Sequence, residues 1–209
     1  MSHSVLFNKE ARASKIGHYF LFNKPYGVLC QFTSSQDIPT LATYGPFPHD
    51  VYPVGRLDSA SEGLVLLTND GAVKHCLLEP QYGHPRTYLA QVEHVPLSLS
   101  LERLRNGMML DGRITKPAKI RLLEAEPDLP PRGVPIRYRK NVPTAWLEIT
   151  LLEGRNRQIR RMTAAIGHPT LRLIRTRIDC IELGDLKPGE SRSLALREIE
   201  LLKKRLGLL

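Results

Sequence analysis

The stretch Gly63–Thr68 (GLVLLT) constrains the fold more than any other part of the chain. It is a short, continuous apolar run closed by the turn signal Asn69-Asp70-Gly71. A run of this length between turn residues reads as a buried strand, with a short helix following over Ala72–Leu78. Other strands are expected over Tyr19–Cys30, which carries a Pro-Tyr-Gly bend, and over Arg86–Val95, where Tyr88, Ala90 and Val92 share one face. Further strands are expected over Lys119–Glu126, Thr144–Leu152 and Leu171–Ile178, with a short one around Ser193–Leu196. Helices are expected over Ser98–Asn106, stopped by Gly107, and over Asn156–Ile166, stopped by Gly167 and Pro169. Gln31–Pro53, with four prolines, reads as mostly loop, as does Pro127–Pro143. Leu201–Leu209 is a basic, apolar tail whose shape the pattern leaves open. Strands and helices do not alternate in a βαβ rhythm, so the expected class is α+β with a mixed, mostly antiparallel sheet.

At 209 residues the chain can build a core without staples. No apolar run approaches the ~20 residues of a membrane helix, and Met1–Lys15 lacks the apolar stretch of a signal peptide. Cys30, Cys76 and Cys180 are scattered and form no CxxC pair, which suits small core residues in a reducing compartment. The expectation is a cytoplasmic protein without disulfides or membrane partner.

Charge is more informative. The net charge is +9. Arg132–Arg177 holds eleven basic residues, ten of them arginine, against only Glu148 and Glu153, so this segment carries the entire excess. Guanidinium groups bind phosphate oxygens in forks and stack on bases, which points to a nucleic-acid partner. Within the segment, the helix over Asn156–Ile166 places Ile159, Met162 and Ile166 on one face. Arg157, Arg160 and Arg161 then fall within an arc of ~100° on the other. Gly154-Arg155-Asn156 at its start would offer backbone N–H groups to an anion. The bland reading is a solvated arginine face.

Val54-Gly55-Arg56-Leu57-Asp58 sits between a Pro-rich loop and the buried strand, a setting in which a braced loop can present a reactive side chain. Asp58 could equally be a turn acceptor or helix cap. Glu62 lies four residues on and could pair with it for acid–base work. There is no phosphate-binding G-x-x-x-x-G-K-[ST] loop, no G-x-G-x-x-G, no HExxH and no G-x-S-x-G elbow. His75, His84, His94 and His168 are spread out as surface or capping residues. No metal site and no cofactor is expected.

Four words occur in order: Asn23-Lys24-Pro25-Tyr26-Gly27-Val28, then Gly55–Gly71 (GRLDSASEGLVLLTNDG), then Arg86-Thr87-Tyr88, then Glu153–Arg175 (EGRNRQIRRMTAAIGHPTLRLIR). With them the chain resembles the pseudouridine synthases of ribosomal RNA, in the branch that modifies single uridines in folded rRNA. The resemblance implies two α+β subdomains flanking a central cleft, within one catalytic domain over residues 18–204 and behind a flexible basic tail over residues 1–17. Only Met1–His18 precedes the first motif, which leaves no room there for the S4-type RNA-binding domain that many relatives carry. Ser61 replaces the usual Thr and keeps its hydroxyl; Asp179 stands where relatives have Gly and puts the local turn in question.

The resemblance also implies roles. Asp58 is the essential carboxylate that starts cleavage of the N-glycosidic bond, Tyr88 lies against the target uracil, and Arg160 pairs with the aspartate. Arg56 enters the base stack where the uridine leaves. Leu66 and Ile174 are pocket walls, and Lys24 sits near the cleft. Arg155, Arg157, Arg161, Arg172 and Arg175 are phosphate contacts. The implied partner is large-subunit ribosomal RNA or an assembly intermediate, met by a monomer. The competing readings are an inactive RNA-binding protein of the same fold, and a hydrolase of N-glycosidic bonds using Asp58 and Glu62, which would release free uracil.

Overall fold

The computed structural model describes residues 17–136 and 141–209. Apart from Gly17, the expected basic tail lies outside the described residues, as do Arg137, Arg139 and Lys140 of the basic segment. The strands are β1 (Tyr19–Lys24), β2 (Tyr52–Pro53), β3 (Glu62–Thr68), β4 (Arg86–Glu93), β5 (Met109–Leu110), β6 (Arg113–Ile114), β7 (Lys119–Leu122), β8 (Thr144–Leu151), β9 (Thr170–Ile178), β10 (Ile181–Glu182) and β11 (Ser191–Ser193). The helices are α1 (Gly71–Leu78), α2 (Ser98–Arg105), α3 (Gln158–Ala165) and α4 (Leu196–Arg205).

Among the described residues, nine strands form one sheet in the order β11-β1-β3-β9-β4-β8-β7, with β2 added to β3 and β10 to β9; β5 and β6 form a separate ribbon. Every pairing in the large sheet is antiparallel except β3 with β9. The class is therefore α+β with a mixed, mostly antiparallel sheet, as the sequence predicts.

The buried reading of Gly63–Thr68 holds for all seven residues of β3, and its alternation shows why. Leu64 and Leu66 face a core with Val73 and Leu77 of α1 and Ile199 and Leu202 of α4. Val65 and Leu67 face the opposite way, against Phe22, Leu41, Val51 and Leu57. The second half of the sheet builds its own core, where Ala90, Leu147, Ile149 and Leu173 pack on Leu101 and Leu104 of α2 and Ile159 and Met162 of α3. The open-ended C-terminal stretch is helical, because Ile199 and Leu202 close the first core at α4.

The parallel contact between β3 and β9 is short, pairing Glu62 with Ile174 and Gly63 with Arg175. Gly63 has φ +100°, and a Cβ there would stand 2.3 Å from the Arg175 carbonyl oxygen. The seam between the two halves of the sheet thus requires glycine at this position. Gly63→Ala combines a left-handed backbone with a clash against a main-chain atom, and should cost about 3 kcal/mol. A Tm lower by roughly 10 °C is the result expected by calorimetry.

Asp179 also has a positive φ, +50°. Asp is among the residues that tolerate this region. Its carboxylate accepts hydrogen bonds from His84 Nδ1 and Arg205 Nε, both at 2.8 Å. These partners hold its carboxyl below the usual range against the opposing effect of burial. The turn is thus made here by a bonded Asp, and His84 takes a defined structural role.

Candidate active site

Asp58 lies on the loop between β2 and β3, and three buried or half-buried cations grip that loop by its carbonyl oxygens. Arg175 Nη2 donates to Gly55 O at 3.3 Å, Lys24 Nζ to Ser59 O at 3.3 Å, and Arg160 Nη2 to Ala60 O at 2.7 Å. Ser61 N closes the turn onto Asp58 O at 3.0 Å, and Gly27 N, in the Pro-Tyr-Gly bend, donates to Ser59 O at 2.8 Å. A loop fixed at so many main-chain atoms can hold a charged side chain toward a cavity at little cost in ordering on substrate binding.

That cavity measures about 410 Å³. Asp58, Arg56 and Leu57 form one wall, Gly154–Ile159 another, and Tyr88 and Leu173 lie along the sheet. Tyr88 is half-buried on β4, opposite Ile149 of β8 and Arg175 of β9, and packs against two of the cores. Arg56 is exposed at the rim.

Arg157, not Arg160, makes the ion pair with Asp58, Nη1 to Oδ2 at 3.4 Å. The physical reason is local. The helix begins at Gln158, two residues later than the sequence suggests, and Arg157 at its N-cap is left-handed with φ +47°. A helical wheel started at Asn156 therefore misplaces Arg157, which leaves the helix surface and reaches Asp58. Arg160 turns inward and also donates to Thr170 O at 3.1 Å, joining the Asp58 loop to the start of β9. Burial lowers its pKa, with Arg157 adding to the effect and Asp58 opposing it. The two arginines can be separated by mutation. Arg157→Ala should lower kcat roughly twofold to fivefold, the scale of one partly exposed ion pair, at unchanged Tm. Arg160→Ala should instead lower Tm, and thermal melts beside steady-state kinetics read both.

The remaining expected site residues divide sharply. Arg172 is buried and bidentate on Glu62, Nε to Oε2 at 2.7 Å and Nη2 to Oε1 at 3.1 Å, so its guanidinium is engaged by an internal carboxylate rather than presented at the surface. Glu62 is correspondingly turned away from Asp58, which removes the carboxylate pair of the hydrolase reading. Arg175 is buried with its guanidinium on Leu64 O and Gly55 O, again a main-chain brace. Arg155 lines the cavity but is committed to Leu110 O, Arg113 O and Ile114 O of the β5–β6 ribbon and to Glu153. Arg161 pairs with Asp111 at the tip of the same ribbon. Of the five expected phosphate contacts, Arg157 is the most exposed, at 48%.

Lys24 is wholly buried rather than placed at the cleft surface. It also donates to Pro25 O and Val28 O, both at 2.8 Å. Burial pulls its pKa down to about 8, against the raising effects of Cys30, Glu62 and Asp58. Leu66 is core, not a wall, because it points to the helix-covered face of β3. Ile174 lines a separate cavity with Lys24 and Glu62. The wall is Leu173, one position earlier, on the face that the alternation of β9 already assigns to Leu171 and Leu173. Sequence reading also missed Gln158. Its side chain accepts from Arg155 N at 3.0 Å and donates to Glu153 Oε1 at 2.7 Å, bracing the Gly154–Arg157 wall. Its position at a helix start three residues after an Arg was the available signal.

Comparison with known proteins places the chain in a family. Residues 18–165 match the RNA pseudouridylate synthase family, and the chain belongs to it. It is 52% identical over 170 residues to the ribosomal large subunit pseudouridine synthase E of Xanthomonas axonopodis pv. citri, covering 80% of this chain and 89% of that one. It is 50% identical over 176 residues to the protein of the same name in Vibrio parahaemolyticus, covering 84% and 73%. A solved pseudouridylate synthase superposes with a TM-score of 0.73 at 33% identity, covering 89% of this chain and 74% of that chain. The protein is an RNA pseudouridine synthase with an α+β fold.

Proposed function

We propose that this enzyme converts one uridine of large-subunit ribosomal RNA to pseudouridine, with Asp58 as the essential carboxylate. The observation that carries the reading is the position of Asp58, gripped through its loop by Lys24, Arg160 and Arg175 and facing Tyr88 across the cavity. The names of the two relatives near 50% identity support the choice of RNA.

The reaction conserves every atom of the uridine except one exchanged hydrogen. The bond from C1′ of the ribose to N1 of uracil breaks, the ring turns within the cavity, and C1′ bonds to C5. The C5 hydrogen leaves as a proton, and N1 ends protonated. Asp58 acts at the cleavage step, beside the Arg157 guanidinium. Tyr88 lies against the uracil ring and limits its path while it is detached. A base can reach this cavity only by leaving its stack, which costs a few kcal/mol, and Arg56 at the rim offsets part of that by entering the gap.

Primer extension on carbodiimide-treated RNA tests the reading. After incubation with the enzyme, large-subunit rRNA lacking the modification should show one new stop, and small-subunit and transfer RNA none. Stops only in another RNA would refute the substrate, and none in any RNA would refute the activity.

A further inference from the structure

A second cavity, of about 830 Å³, lies on the other side of Arg56 from the catalytic one. The two share Cys30, Gln31 and Arg56 as walls, so a chain passing the rim at Arg56 enters both. The larger cavity is built from the Pro-rich loop and the end of α1. Phe32 and Phe47, half-buried and edge-on with centroids 6.0 Å apart, contribute aromatic surface. Tyr52, also in the lining, is 54% exposed on the short edge strand β2. Lys74 Nζ stands 5.5 Å from the centroid of its ring. Arg56 and Lys74 are both in the lining, and among the described residues no Asp or Glu is.

An exposed aromatic ring beside two cations, with apolar walls behind it and no carboxylate, is the chemistry that holds unpaired bases. Apart from Arg56, no residue lining this cavity takes part in the uridine reaction described above. We propose that it is a subsite for the base of a nucleotide neighbouring the target uridine, stacked on Tyr52 with its phosphate at Lys74. The proposal rests on the reading of the chain as a uridine isomerase. It follows that the RNA is opened over more than one nucleotide. Arg56 then stands between two extruded bases and serves both cavities.

The test has two readouts. The first is tritium release from large-subunit rRNA labelled at uridine C5. Tyr52→Ala should raise KM about tenfold, the scale of one lost base stack, while kcat changes less than about twofold and Tm is unchanged. Tyr52→Phe, which keeps the ring, should restore KM. The second is fluorescence of an RNA hairpin cut around the mapped uridine, with 2-aminopurine replacing the base on one side or the other. Wild type and Tyr52→Phe should quench the probe at one of these positions, and Tyr52→Ala should not. Tritium release with an unchanged KM in Tyr52→Ala, or equal quenching by Tyr52→Ala, overturns the subsite alone. So does a KM that rises only on assembled ribosomal particles, which would point to a protein at this surface. Absence of tritium release by the wild type overturns the isomerase reading itself, and the subsite with it.

Discussion

Asp58→Asn should lower turnover by at least about a thousandfold, the scale of removing a group that acts on the reacting atoms, while leaving the fold and RNA affinity in place. The structure makes this separation possible. The Asp58 side chain lies in the cavity and contributes one partly exposed ion pair. The loop itself is held through main-chain oxygens by Lys24, Arg160 and Arg175, none of which needs the carboxylate. Replacing a carboxylate oxygen by an amide keeps the volume and removes the charge. Thermal melts within a few degrees of wild type, RNA binding by fluorescence anisotropy within about twofold, and no product in a single-turnover assay are the expected set. Retained turnover would remove Asp58 from the chemistry.

The second large effect concerns stability. Arg172→Leu should cost about 3–5 kcal/mol, because it strands a carboxylate that is 7% exposed without its bidentate partner. The double variant Glu62→Leu/Arg172→Leu should recover most of the loss, since a buried ion pair replaced by apolar side chains of similar size is often close to neutral. Chemical denaturation of the three proteins measures this directly. RNA affinity of the double variant should stay within about twofold of wild type. A large loss of affinity there would return Arg172 to the phosphate-binding role that the basic segment first suggests, and additive destabilisation would deny the ion pair its structural part.

The comparison of these arginines shows what a linear pattern can and cannot convey. Alternation and turn signals locate β3, β4, β8 and β9 within a few residues, because side-chain period and punctuation are local properties. The double burial of β3 follows from its unbroken apolar run Leu64–Leu67. The same methods count eleven basic residues between Arg132 and Arg177, but charge on a strand does not say which face it occupies. Arg172 alternates with Leu171 and Leu173 and would suit a wet face, while Arg175, three residues on, falls on the opposite face. They are buried instead, because the parallel seam with β3 brings Glu62 and the carbonyls of Gly55 and Leu64 to them from far along the chain. Tertiary partners of that kind leave no periodic trace.

Arg157 and Arg160 fail for a different reason. A single left-handed residue resets the phase of the helix, and composition around Asn156 does not announce it. Leu173 and Ile174 differ only by strand parity, which the alternation of Leu171 and Leu173 settles once it is preferred to motif position. The cavity at Tyr52 was invisible as sequence because Gln31–Pro53 has no period. Its walls form only when the loop folds over α1 and β1.

The most direct test of isomerisation is the tritium released per molecule from large-subunit rRNA carrying tritium at uridine C5. Formation of the C1′–C5 bond must expel that label, so the predicted result is release rising to about one per rRNA, with no free uracil in the supernatant. Free uracil that still carries its label, with no tritium in the water, would make the enzyme a hydrolase, and neither product would contradict the isomerisation on which every assignment at Asp58 depends.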